Sequence, residues 1–344
     1  MDIFAKFAES IGVCHDTPYC REGCHVPGRL LKTTDMRLFL KRYLEEKMLH
    51  RLLNVICGRR RVSGIALMAA ALFFTAEAGA YEARIHCEED TVKVSRILKA
   101  AAEHGGSYGE RIAFVARQLE GTPWASPSDN DEKGTIMIDL HGFDRLGFAN
   151  TVMALAQASM QKLPRVKEYE RFYEQLSRRR GQDDGFPSRL YYGAEWVVDN
   201  VYRGNLKEMT EYVSGGGFKT KTLDYMTRHK DEFPAMKDPA VFDKVRMNEM
   251  GYRSHRIPHL KKQSAANKPL HEMMETGDII IMLSPESDRD IYDIGFVEMN
   301  GGEPYLIHIS HDDGLVTADP YPLARLFKLE GQHFYGYRWL RPTE

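Results

Sequence analysis

The chain changes its hydrophobic period once, and that change constrains the fold more than any other feature. Between Thr91 and His104 apolar residues recur at Val94, Ile97, Leu98 and Ala101, the stripe of an amphipathic helix. Ile112, Val115, Ala116 and Leu119 repeat it between Glu110 and Leu119. Positions 121–133 are rich in Pro, Ser, Asp and Gly and read as a loop, followed by a short strand from Thr135 to Leu140. Phe143 to Leu163 reads as a long helix with Asp144 at its N-cap, and Tyr191 to Arg203 as another. Gly215 to Gly217 reads as a loop and lacks the frame of a phosphate cradle. The last third is different. Asp278 to Leu283, Ile291 to Met299, Pro304 to Ser310 and Phe334 to Leu340 all read as strands, with Asn300-Gly301-Gly302 as a hairpin turn. Helices first and strands afterwards predict an α+β fold, with N-terminal helices packed on a C-terminal antiparallel sheet.

The first eighty residues have another character. Val62 to Phe74 is a run of 13 almost wholly apolar residues, preceded by Arg59, Arg60 and Arg61 and followed by Ala76, Ala78 and Ala80. A basic region, a short apolar region and an A-x-A site describe a secretory signal peptide. The run falls short of the roughly 20 residues that a membrane span needs, so no permanent anchor is expected. Met48 is a natural start for such a leader. The expected organisation is a discarded or non-native extension over 1–47, a signal peptide over 48–80 and a single domain over 81–344, exported to the periplasm or cell envelope.

This division removes four of the five cysteines, Cys14, Cys20, Cys24 and Cys57, and leaves Cys87 as an incidental thiol. The spacing of Cys14, Cys20 and Cys24, with His15 and His25, matches no common zinc module, and no metal or cofactor is expected. A net charge of −2 gives no electrostatic case for nucleic acid or anionic lipid as a partner. Arg178, Arg179 and Arg180 form the most visible basic run of the domain and read as a solvated loop.

Segments spread over nearly all of the expected domain carry a resemblance. They are Ala116-Arg117-Gln118-Leu119-Glu120-Gly121-Thr122-Pro123-Trp124, Phe143-Asp144-Arg145-Leu146-Gly147-Phe148 and Ser188-Arg189-Leu190-Tyr191-Tyr192, with Trp196, Asp199-Asn200 and Arg203-Gly204. Tyr225-Met226, His229, Gly277-Asp278-Ile279-Ile280, Asp290-Ile291-Tyr292-Asp293-Ile294-Gly295 and Leu306-Ile307-His308 continue the series. In order and spacing they resemble the bacterial N-acetylmuramoyl-L-alanine amidase-like family, a branch of the NlpC-type papain-like superfamily. That resemblance implies a papain-like fold, and a cysteine at a helix N-terminus that attacks an amide of the peptidoglycan stem with the help of a histidine. The nucleophile position holds Arg145, the base position Asp293, and the orienting position His308, while Tyr191 stands where a histidine is usual.

An arginine has no nucleophilic form at physiological pH. A cation at a helix N-terminus also costs about 0.3–1 kcal/mol against the macrodipole. The expectation that follows is a salt bridge between Arg145 and Asp293, a charge pair of reversed polarity in the former active site. Asp144, Arg145, Arg189, Tyr191, Tyr192, Asp293 and His308 are the expected ligand-binding residues, and no catalytic residue is expected. The partner implied is a peptidoglycan fragment or an envelope protein. Two alternatives are a hydrolase built on other residues, such as a metal set of Asp144, Asp293, His308 and His141, and a purely structural envelope component.

Overall fold

The computed structural model describes residues 84–125, 136–213 and 215–344. The expected leader over 48–80, the extension before it and Cys14, Cys20, Cys24 and Cys57 lie outside these residues. No helix among the described residues is long and apolar enough to cross a membrane.

Strand β1 (Arg84–Ile85) leads into α1 (Glu88–His104), whose first turn carries Glu88, Glu89 and Asp90 toward the positive end of the helix. Its buried stripe is Val94, Ile97, Leu98 and Ala101, as the periodicity predicts. Gly105, at φ 71°, ends it. Helix α2 (Tyr108–Gln118) starts two residues earlier than the apolar pattern indicates, because Ser107 and Glu110 form a capping box. After β2 (Met137–Ile138) comes α3 (Arg145–Ser159), with Asp144 at its N-cap and accepting from Gly147 N at 2.6 Å. The helix ends at Ser159, short of the predicted Leu163, and Pro164 disfavours helical geometry at Leu163 itself. Helix α3 is buried on every side and is the spine of the helical layer. Arg111 Nη1 donates to Ala101 O and Ser159 O, so one guanidinium satisfies terminal carbonyls of both α1 and α3.

Helix α4 (Val166–Ser177) has no counterpart among the expected elements, although Tyr169, Phe172, Tyr173 and Leu176 give it a buried stripe. Helix α5 (Gly193–Tyr202) begins two residues after Tyr191. Then follow β3 (Leu206–Glu208), β4 (Gly217–Lys221), the short α6 (Tyr225–Arg228), α7 (Pro239–Met250), β5 (His255–His259) and α8 (Lys268–His271). Gly217 therefore belongs to a strand, paired with His259, and not to the predicted loop. The last elements are β6 (Ile279–Leu283), β7 (Ile291–Asn300), β8 (Glu303–Ile309), β9 (Val316–Ala318), α9 (Leu323–Leu329) and β10 (Gly336–Pro342).

The main sheet is antiparallel with order β3-β10-β6-β7-β8-β9. Central strand β6 is buried on both faces, which explains its unbroken Ile-Ile-Ile-Met-Leu. Ile279, Ile281, Ile294, Phe296 and Ile307 face the core shared with α1 to α5. Ile280, Met282, Val297, Leu306 and Trp339 face a second core closed by Leu323, Leu326 and Phe327 of α9. The α+β layout stands as predicted, with two additions at the edges of the sheet: β3 from the middle of the chain at one edge and the short β9 at the other. At Gly109 a Cβ would lie 2.2 Å from Thr276 O, so the turn before β6 meets α2 backbone to backbone.

The basic run is not a solvated loop. Arg178 is fully buried and bonded to Glu174 Oε1 at 2.5 Å, Gly185 O at 2.9 Å and Ser188 Oγ at 3.0 Å, with Asp183 at 3.1 Å. Arg179 pairs with the buried Glu195 at 2.8 Å. Arg180 takes a left-handed conformation, φ 58°, and its N–H donates to Asp199 Oδ2 at 2.7 Å.

Candidate functional site

The N-terminus of α3 opens onto a cavity of about 590 Å³. Asp144, Arg145, Arg189, Tyr191 and Tyr192 line it, together with Tyr225, Phe233, Arg289 and Asp290. Five of the seven expected ligand-binding residues thus converge. The other two, Asp293 and His308, do not line the cavity.

One wall is aromatic. Tyr191 lies 5.1 Å from Tyr192, 5.5 Å from Phe233 and 6.4 Å from Tyr225, between ring centres. Tyr225 stacks on His229 at 4.1 Å and carries the Arg289 guanidinium over its ring at 4.1 Å. Tyr192 is buried and donates its hydroxyl to Glu249 Oε1 at 2.6 Å.

The far wall depends on the connection between β6 and β7, which ends in Asp290. Asp290 is buried and accepts from Gly193 N at 3.2 Å and from Ala194 N, capping α5 from across the chain. Burial raises its carboxyl, and the Ala194 and Gly193 N–H groups oppose that rise. Gly193 sits so close to Ile291 that a Cβ would meet its side chain at 2.4 Å. Lys221 holds the loop in place by donating to the carbonyls of Ser284, Glu286 and Arg289. Burial lowers the Lys221 ammonium to about 8.

Asp144 accepts from Gly147 N as the N-cap of α3. Burial raises its carboxyl, and the Gly147 N–H and Arg145 act against that. Arg145 is half-buried at the first helical position. It does not pair with Asp293. Its Nη2 donates to His311 Nε2 at 2.9 Å, and its buried Nε has no partner. Burial and the adjacent Arg145 lower His311, so the ring is kept neutral and able to accept. His311 stacks on Tyr292 at 4.4 Å.

Strand alternation is why the expected salt bridge fails. Ile294 and Phe296 point toward α3, where Phe296 packs edge-on against Phe148 at 5.6 Å. Asp293 belongs to the opposite register, that of Val297 and Met282. The β6–β7 register shifts beside Leu283, leaving Tyr292 as an extra residue in the manner of a β-bulge. Asp293 Oδ2 therefore meets His308 Nδ1 at 2.6 Å. Gly295 makes room for that ring, since a Cβ there would lie 2.7 Å from His308 Cβ. Asp319 stands 3.6 Å from His308 Nε2, an ion-pair distance beyond hydrogen-bond length. Burial disfavours the charged imidazole, but Asp293 and Asp319 outweigh it and hold His308 up to about 9. His308 is thus an imidazolium clamped between two carboxylates, and it has no basic nitrogen near neutral pH.

That clamp has a measurable consequence. A folded-state value of about 9, above the ordinary 6.5, contributes stability that is fully present below pH 6.5 and is lost as pH rises through 9. Urea midpoints at pH 6.0 and 9.5 should show the wild type exceeding His308→Gln by a margin that shrinks at the higher pH. An equal margin at both would mean that the ring is not charged in the fold.

The four candidates for a metal set are not brought together. His141 is exposed and lies 3.1 Å from Asp139 and 3.5 Å from Asp90, in a group with Cys87. Among the described residues Cys87 is the only cysteine, and it N-caps α1. No cysteine or histidine of the described residues lines the cavity at α3.

Comparison with known proteins places the chain. A search of curated proteins gives no match. Among solved structures it is similar to an N-acetylmuramoyl-L-alanine amidase from Bacteroides uniformis, with a TM-score of 0.61 and 21% identity over 70% of this chain and 100% of that one. A protein from Legionella pneumophila aligns with a TM-score of 0.59 and 16% identity over 75% of this chain and 95% of that one. Similarity at this level of identity shows a shared fold. The family described as AmiA-like, N-acetylmuramoyl-L-alanine amidase-like, matches residues 114–330, a span that holds the cavity, Arg145, Asp293 and His308. The chain belongs to this amidase-like family.

Proposed function

We propose that this chain is an exported protein of the bacterial cell envelope. Its domain is of the NlpC-type papain-like kind and binds muropeptide, or a partner that presents one, without hydrolysing it. The observation that carries this reading is Arg145. It occupies the start of the helix that faces an open cavity, where the family resemblance calls for a cysteine. Two further features support it. The position expected to supply the base is a carboxylate already bound to His308, and His308 is held protonated. A hydrolytic mechanism needs a nucleophile and a base within reach of each other, and this cavity lining offers neither a thiol nor an imidazole. Export rests on the apolar run at 62–74 and its flanking residues.

An open cavity favours binding over a purely structural role, for which a plugged cleft would be expected. The test is incubation of the full chain with muropeptides, read by mass spectrometry and calorimetry. Binding without cleavage products is the expected result. Cleavage that disappears in Arg145→Ala would overturn the reading.

A further inference from the structure

We infer that Arg145 is the anchor for a free carboxylate on the ligand of this cavity, an inference that rests on the binding role proposed above. Arg145 is a half-buried guanidinium with a single hydrogen bond among the described residues, and that bond goes to a neutral ring. No carboxylate of the described residues stands at ion-pair distance from it, and its Nε is buried without an acceptor. A cation in this state is costly. It sits at the positive end of α3, and burying unsatisfied charged donors is unfavourable. A buried polar group without a partner, here at the edge of an open cavity, marks a place where a missing group belongs.

The acids around the cavity are already committed. Asp144 takes Gly147 N, Glu232 takes the Tyr225 hydroxyl at 2.8 Å, and Asp290 takes Gly193 N and Ala194 N. Each carboxylate is thus satisfied by the protein, while Arg145 retains donors. An incoming acceptor meets little competition, and a carboxylate matches the planar fork of a guanidinium with two parallel bonds. Arg289, held over Tyr225, adds positive charge to the same lining. The half-buried Tyr191 ring in the same lining gives the apolar part of such a ligand a surface to lie on. The substitution that removes the nucleophile thereby supplies a recognition group for a free acid in its place.

The test uses the full chain and two probes in calorimetry: N-acetylmuramoyl-L-alanyl-D-glutamate with its carboxylates free, and the same compound as its diamide. The wild type should bind the acid about ten- to hundred-fold more tightly than the diamide, the worth of a charge-assisted hydrogen bond. Arg145→Gln should bind the two alike, and Arg145→Lys should recover part of the preference. Removing a cation from a helix N-terminus does not weaken the helix, so the Gln variant should keep its melting temperature. Equal binding of acid and diamide by the wild type would overturn the anchor while leaving the binding role intact. Failure of both probes to bind would overturn the anchor and count against the binding role itself.

Discussion

Arg178→Ala is expected to destabilise the domain by about 3–5 kcal/mol, the usual cost of removing one partner from a buried ion pair. The side chains of Arg178 and Glu174 have no exposed surface, and their 2.5 Å contact joins the end of α4 to the loop that follows. Burial raises the Glu174 carboxyl, and the positive charge of Arg178 does most to oppose that rise. Without Arg178 this carboxyl is left in the core with its countercharge gone, while Gly185 O and Ser188 Oγ lose a donor. Urea denaturation is the direct measurement, and a fall in melting temperature of about 10 °C or more should accompany it. The double variant Arg178→Met with Glu174→Leu should recover most of the loss, because two apolar groups carry no unpaired charge. A change below about 1 kcal/mol for Arg178→Ala would place this side chain in solvent after all.

Trp196→Ala should cost about 3–5 kcal/mol, as for other fully buried aromatic side chains. Trp196 has no exposed surface and donates Nε1 to Asn150 Oδ1 at 2.8 Å, tying α5 to α3 within the helical layer. Trp196→Phe separates the two contributions. It keeps most of the ring but strands the Asn150 carbonyl oxygen, and should cost about 1–3 kcal/mol. Since Asn150 lies on the helix that begins at Arg145 and also lines the cavity, both variants should weaken ligand binding along with stability. Unchanged urea midpoints for Trp196→Phe would show that the indole N–H contributes nothing.

Local signals were sufficient for much of this molecule. The stripes of α1 and α2, the Asp144 cap and the four late strands are each written in short stretches of residues whose period differs between helix and strand. The cavity lining was half legible, because Arg189, Tyr191 and Tyr192 lie near Arg145 in the motif series as well as in space. Lys221, Asp290, His311 and Asp319 were not legible as a set. Lys221 meets the carbonyls of residues 63 to 68 positions away, and His311 meets a guanidinium 166 positions away. No periodicity records such distances.

Two expectations failed for reasons that only packing supplies. Three consecutive arginines are hydrophilic in any sequence window, yet Arg178 is the residue on which a buried polar cluster closes. Arg145 and Asp293 are opposite charges at positions expected to touch. A bulge at Tyr292 and the two-residue alternation of β7 send Asp293 to the other face of the sheet, where His308 holds it. Period and residue identity are local properties, so the order of helices before an antiparallel sheet, and the arginine at the head of α3, can be read directly from the residues. Which charges meet, and that Arg145 is left with unused donors over an open cavity, was decided by the tertiary structure, because strand register and burial are set by contacts between distant parts of the chain.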